Sequence, residues 1–114
     1  MPIERGGVYW VNFDPAMGGE IQKTRPAIVV SNDAANAALN RVQVIPISSK
    51  TDRVYPGEAV VEVRGEKRKA MADQLTTASK LRFGNRLAVL SAVDMARVEE
   101  AIATQLGLHL KQVP

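Results

Sequence analysis

The 114-residue chain is 46% hydrophobic and 24% charged, ordinary values for a globular protein, and no apolar run approaches the roughly 18 residues that a membrane span requires. It has no cysteine, which excludes disulfide scaffolds, thiolate zinc sites and cysteine nucleophiles and fits a reducing cytosol. Fifteen Lys and Arg against 12 Asp and Glu leave a formal charge of +3, a mild basicity that suits a polyanion such as nucleic acid without requiring one.

One compact domain over 1–114 accommodates this length. The lack of a charged-then-apolar leader over Met1 to Gly7 gives the expectation of a cytoplasmic protein. Arg5-Gly6-Gly7 reads as a turn into a first strand over Val8 to Phe13, dense in apolar and aromatic residues and ended by Asp14-Pro15. A polar, glycine-containing loop over Ala16 to Thr24 leads to a second strand over Ala27 to Ser31. Pro26 pushes Arg25 into extended backbone, so its guanidinium is presented at the mouth of that strand. Asn32 or Asp33 is placed to cap one or two helical turns ending at Leu39, a short crossover helix. Val42 to Ser48 is a third strand, in which Pro46 argues for an edge position or a bulge.

After an exposed loop over Lys50 to Gly57, alternation over Glu58 to Arg64 predicts a half-exposed strand. Gly65 to Lys69 reads as a solvated, charged hairpin turn, and Ala70 to Leu75 as the returning strand. Thr76 to Arg86 reads as a polar, basic stretch carrying Lys80, Arg82 and Arg86, with a short strand at Leu87 to Leu90. The period then changes: Ser91 is an N-cap, Asp94 sits in the first turn, and Met95, Val98, Ile102 and Leu106 recur at helical spacing until Gly107. The expected architecture is mainly β with helices, a small antiparallel barrel with a short crossover helix and a C-terminal amphipathic helix against it.

The available chemistry is narrow. The single histidine, His109, lies past the last helix, so neither a His-based triad nor a His-rich metal site can be assembled. No glycine-rich phosphate loop with a following Lys is present, and Asp14, Asp33, Asp52 and Asp73 are scattered. What remains is Glu20, Thr24 and Arg25 on the first loop, with Ser48 and Ser49 at the end of the third strand. This set suits cleavage of RNA by its own 2′-hydroxyl, which needs a base, stabilisation of the phosphorane charge and help for the leaving 5′-oxygen, but no metal or other cofactor. Glu20 fits the base, Arg25 the non-bridging oxygens, and Ser48 a hydrogen bond to the same phosphate. Arg25 is equally readable as a strand-end residue in a surface ion pair with Glu20 or another carboxylate.

These residues resemble the MazF/PemK family of bacterial toxin ribonucleases. The resemblance runs in order from Arg5-Gly6-Gly7-Val8-Tyr9-Trp10-Val11 through Asp14-Pro15, Gly18-Gly19-Glu20, Thr24-Arg25-Pro26, Ile45-Pro46-Ile47-Ser48-Ser49 and Ala72-Asp73-Gln74-Leu75 to the closing helix. It implies an SH3-like barrel that dimerises and cuts single-stranded RNA without a metal, leaving a 2′,3′-cyclic phosphate and a 5′-hydroxyl, under the control of a MazE-like antitoxin. It also implies that Arg25 and Ser48 form the catalytic pair, with Glu20 in the place of the family's loop Glu.

Ser48 stands where the family usually has Thr, which keeps the hydroxyl and loses the methyl that restricts its rotamer. Thr76 replaces an Arg of the family's Asp-Gln-x-Arg-Thr pattern, and Gly19 and Met71 occupy places that hold His and Arg in Kid-like members. With five aromatic residues in all, three of them in the first strand, a broad base-stacking platform is not expected. Base choice would fall to hydrogen bonds from the loops. The RNA-contact candidates are Gln22, Lys23, Thr24, Ser49, Lys50, Arg53, Asp73 and Arg82, with Lys50, Arg53 and Arg82 facing phosphate. The barrel is also that of CcdB-like toxins, which bind DNA gyrase and catalyse nothing; that non-catalytic reading, or a plain nucleic-acid-binding module, is the alternative.

Overall fold

The computed structural model describes residues 2–109. Its strands are β1 (Gly7–Asn12), β2 (Thr24–Val29), β3 (Arg41–Ser48), β4 (Glu58–Val63), β5 (Glu66–Met71), β6 (Thr76–Ser79) and β7 (Phe83–Val89). Helix α1 (Asp33–Ala38) crosses from β2 to β3, and helix α2 (Ala92–Leu106) follows β7. The antiparallel sheet runs β4-β5-β3-β2-β1-β7, with β6 attached to the first half of β3. It curls into a half-barrel, which is the form the expected small barrel takes.

The continuous apolar runs of β1 to β3 are explained by burial on both faces. Val8, Ile28, Ile45 and Ile47 face α2 and join Met95, Val98 and Ala101 in one cluster. Tyr9, Val11, Ala27, Val29, Val42 and Val44 face the other way and form a second cluster. Helix α2 begins as its sequence predicts: the Ser91 Oγ accepts from the Asp94 N–H at 3.1 Å, and the Asp94 carboxylate accepts from the Glu62 N–H at 2.9 Å, which ties the helix to β4. Gly107 ends it at φ 67°, a left-handed cap with Leu108 N–H donating to the Ala103 carbonyl. Leu106 has the right angular position in the apolar stripe but is 53% exposed; the last turn projects past the residues the sheet supplies.

Four sequence expectations change. Strand β2 begins at Thr24, so Arg25 lies inside the strand, paired with Val11 of β1. Pro46 sits in a strand that is central overall but locally open on one side: β3 exchanges partners there, pairing with β6 up to Val44 and with β5 from Ile47. The Val30 N–H donates to the Gln43 carbonyl, so by alternation the Pro46 nitrogen turns away from β2, into the place where neither β6 nor β5 needs a donor. The hairpin turn is Arg64-Gly65, with φ of 52° and 80°, which makes Glu66 to Lys69 strand rather than turn. Finally, Thr76 to Arg86 is largely ordered as β6, a 3-10 turn over Lys80–Arg82 and the start of β7.

Candidate active site

Polar groups of the loop between β1 and β2 close turns within it and at its far end. The Glu20 carboxylate accepts from the Met17 N–H at 2.7 Å while the Glu20 N–H donates to the Met17 carbonyl at 3.1 Å, a reciprocal pair that closes a tight turn. Lys23 adopts φ 67°, a left-handed conformation uncommon outside glycine, and is held there by donation from its N–H to Asp14 Oδ1 at 2.8 Å and by its carbonyl accepting from Phe13 N–H at 2.9 Å. Beyond it Thr24 and Arg25 enter β2, both exposed.

Strand register brings Arg25 and Ser48 to the same end of the sheet. Strands β2 and β3 pair through Ala27↔Pro46, Ile28↔Ile45 and Val29↔Val44; Arg25 and Ser48 lie two residues beyond the last of these pairs, at the positions an extension of the same register would match. Across β3, Ser48 pairs with Lys69 of β5. The Arg25 Nε donates to the Gln22 carbonyl at 3.3 Å, and among the described residues Arg25 forms no ion pair: those present engage Arg5, Arg68, Lys69 and Arg97. The surface-pair alternative with Glu20 is therefore not the arrangement adopted. The Ser48 Oγ accepts from the Lys50 N–H at 3.1 Å, fixing the chain as it leaves the sheet toward Ser49 and Lys50.

Glu20, Asp73 and Arg82 share a second locus, a cleft of about 320 Å³ that Phe13, Pro15 and Thr76 also line. Arg25 and Ser48 do not line it. The two loci are joined by short segments, since Glu20 leads through Gln22 and Lys23 into Arg25, and Asp73 follows the β5 strand that pairs with Ser48. Arg82 donates from one guanidinium nitrogen to the carbonyls of Asn12 and Asp14, so part of its donor set closes the base of the loop. Arg53 is exposed on the loop between β3 and β4.

Two residues tie the loops together in ways that local sequence does not reveal. Lys69, expected in a solvated turn, forms a 3.5 Å ion pair with Glu58 in which the side chains are only 13% and 11% exposed, and its Nζ donates to the Arg53 carbonyl at 3.1 Å. It thereby tethers the loop that carries Lys50 and Arg53. Gln74 reaches the β1–β2 loop with both ends of its amide, at 3.1 Å each. Its Asp-Gln-Leu setting marked the position in the sequence, but the partner lies more than fifty residues away. A larger cavity of about 1030 Å³, lined by Ile3, Tyr9, Asp33, Lys80, Phe83 and Arg86 among others, involves none of the expected site residues.

The molecule is thus a small curled antiparallel sheet with a braced first loop, Arg25 and Ser48 at one end of the sheet, and a cleft lined by Glu20, Asp73 and Arg82 beside that loop. A family model described as PemK-like, MazF-like toxin of type II toxin-antitoxin system matches residues 4–106. Endoribonuclease MazF9 of Mycobacterium tuberculosis is 33% identical across 93% of this chain and 98% of its own. Among solved structures, MazF (Form-I) from Deinococcus radiodurans superposes with a TM-score of 0.82 at 28% identity, covering 95% of this chain and 99% of that one. The MazE-MazF (Form-III) structure from the same organism gives 0.78 at 28% identity, covering 96% and 100%. The chain belongs to the PemK-like, MazF-like toxins of type II toxin–antitoxin systems, and the endoribonuclease class of its full-length relatives is its class as well.

Proposed function

We propose that this toxin cuts single-stranded RNA at short sequences through attack of the RNA's own 2′-hydroxyl, without a metal. Glu20 takes the 2′-hydroxyl proton on the carboxylate oxygen not used by Met17. The 2′-oxygen bonds to phosphorus, the bond to the 5′-oxygen breaks, the leaving oxygen takes a proton from water, and the hydroxide so formed takes the proton held by Glu20, which restores the base. Arg25, whose charge does not titrate away at neutral pH, stabilises the non-bridging oxygens, and Ser48 donates its hydroxyl to the same phosphate. The products are a 2′,3′-cyclic phosphate and a 5′-hydroxyl. What supports this reading is that Arg25 has no carboxylate partner among the described residues and that the β2–β3 register, extended two residues past its last pair, runs toward Ser48.

Gln22, Lys23, Thr24, Ser49, Lys50, Arg53, Asp73 and Arg82 are the RNA contacts in this reading, Asp73 and Arg82 from the cleft that Glu20 also lines. Arg82 acts in part by holding the loop. A homodimer of single-domain chains in the bacterial cytoplasm and control by a MazE-like antitoxin complete the proposal, the latter supported by the MazE-MazF assembly of the Deinococcus relative.

The test is a mixed-sequence single-stranded RNA incubated with the purified protein in excess chelator, beside Arg25→Ala. The wild type should give discrete cuts with cyclic-phosphate ends, and the variant should cut more slowly by about a hundredfold or more. A folded Arg25→Ala protein cutting at the wild-type rate would remove Arg25 from the mechanism.

A further inference from the structure

We infer that Gln74 is a positioning residue that holds Glu20 in its working place by gripping the backbone on both sides of it. This rests on the role proposed above for Glu20. Gln74 Oε1 accepts from the Ile21 N–H at 3.1 Å, and Gln74 Nε2 donates to the Gly19 carbonyl at 3.1 Å. The two contacted residues flank Glu20, so one side-chain amide acts as a strand edge would, engaging the donor and the acceptor of the peptide units around the base. Ile21 offers only a donor and Gly19 only an acceptor here, which fixes the amide orientation uniquely.

The platform under Gln74 is rigid. It closes the 3-10 turn Ala72–Gln74, whose Ala72 is 2% exposed and donates its N–H to the Gly57 carbonyl at 3.1 Å. The loop it grips is otherwise exposed and contains two consecutive glycines: Gly18 is at φ 56°, and neither has any atom within 4 Å of a would-be Cβ. Backbone freedom is greatest there, so without the amide little besides the Met17 turn sets where the Glu20 carboxylate points. A general base must stand within hydrogen-bond reach of the proton it takes, and small displacements are costly in rate. Asp73, the residue just before Gln74, lines the same cleft as Glu20.

The experiment is a cycle on RNA cleavage with enzyme in excess over RNA, so that slow turnover stays measurable, using Gln74→Ala, Glu20→Ala and the double variant, with amide hydrogen exchange at Ile21 read in parallel. Gln74→Ala should lose protection at Ile21 and cut about tenfold more slowly, and it should cause no further loss in the Glu20→Ala background, because its effect passes through Glu20. Gln74→Glu keeps the length and the acceptor for Ile21 but at neutral pH lacks the donor for Gly19, and serves if Gln74→Ala fails to fold. Unchanged protection at Ile21, or an equal loss in both backgrounds, would overturn the inference. If the wild-type protein leaves RNA intact, the ribonuclease mechanism falls, and exchange at Ile21 alone decides whether the clamp exists.

Discussion

Asp33 carries the clearest titration effect in the molecule, and it arises from two hydrogen bonds. Its Oδ1 accepts from the Arg5 backbone N–H at 2.7 Å and from Asn36 Nδ2 at 3.2 Å. The Arg5 N–H first, then the Asn36 amide, hold the carboxyl below its ordinary value of 3.8 against an opposing effect of desolvation, and the Arg5 charge adds a smaller lowering still. A folded-state pKa below the unfolded one means that the unfolded chain binds the proton first. The stabilisation is therefore fully present above pH 3.8 and is lost as the pH falls through the lowered folded value. Thermal melts of wild type and Asp33→Asn should differ most above about pH 5 and converge below about pH 3; a constant gap across that range would show that the charge plays no part. The sequence offered both Asn32 and Asp33 as caps for α1. Asn32 takes the cap, accepting from the Ala35 N–H at 2.9 Å, which leaves Asp33 free to reach back to Arg5. Which of two adjacent cap-formers serves is decided by where the preceding loop lies, and that is not local information.

Elements with a single strong period were legible, and those whose order depends on partners were not. Strand β1, helix α1 and the capped helix α2 follow directly from apolar density, cap residues and helical spacing. Strand β6 reads Thr76-Thr77-Ala78-Ser79 and has almost no apolar signal; it exists because β3 presents Arg41 to Val44 for pairing. Strand β7 is masked by two register shifts against β1, between Val8 and Tyr9 and between Tyr9 and Val11, which break the two-residue period. The β4–β5 hairpin was legible as a hairpin but displaced, because charge drew the turn onto Glu66 to Lys69 while the backbone turns at Arg64-Gly65. That turn has positive φ at both central residues, the signature of type I′, in which Asn-Gly is preferred and Arg is a poor first residue. Arg64→Asn should therefore stabilise the protein by about 0.5 kcal/mol, seen as a rise of about 2–3 °C in Tm. No gain would mean that Arg64 has a compensating contact in the folded state. The site divides in the same way: the sequence named Glu20, Arg25 and Ser48, but the amide of Gln74 and the ion pair of Lys69 act on loops distant in the chain and become visible only when β5 and the 3-10 turn are placed beside them.

At the scale of the whole molecule, the charge of +3 is too small to define a basic face by itself; what matters is which cations remain free. Arg5, Arg68, Lys69 and Arg97 are engaged in ion pairs, whereas Arg25, Lys50 and Arg53 are exposed and in none among the described residues. Lys23, Arg41, Arg64, Lys67 and Arg86 are likewise exposed and in no ion pair among the described residues; under the proposed function Arg25, Lys50 and Arg53, which lie on β2 and on the segment just past β3, are the cations assigned to phosphate. A single-stranded nucleic acid releases roughly 0.7 counterion per phosphate neutralised, so about three contacts predict a log–log salt slope near −2. Binding of a mixed-sequence 2′-O-methyl RNA, which cannot supply the attacking hydroxyl, should weaken about twentyfold as salt rises from about 50 to about 200 mM. Lys50→Ala and Arg53→Ala should each make the slope shallower by about 0.7 while leaving the fold intact. A slope near zero would mean that affinity comes from base contacts alone, and a slope unchanged in both variants would place the RNA backbone elsewhere on the sheet.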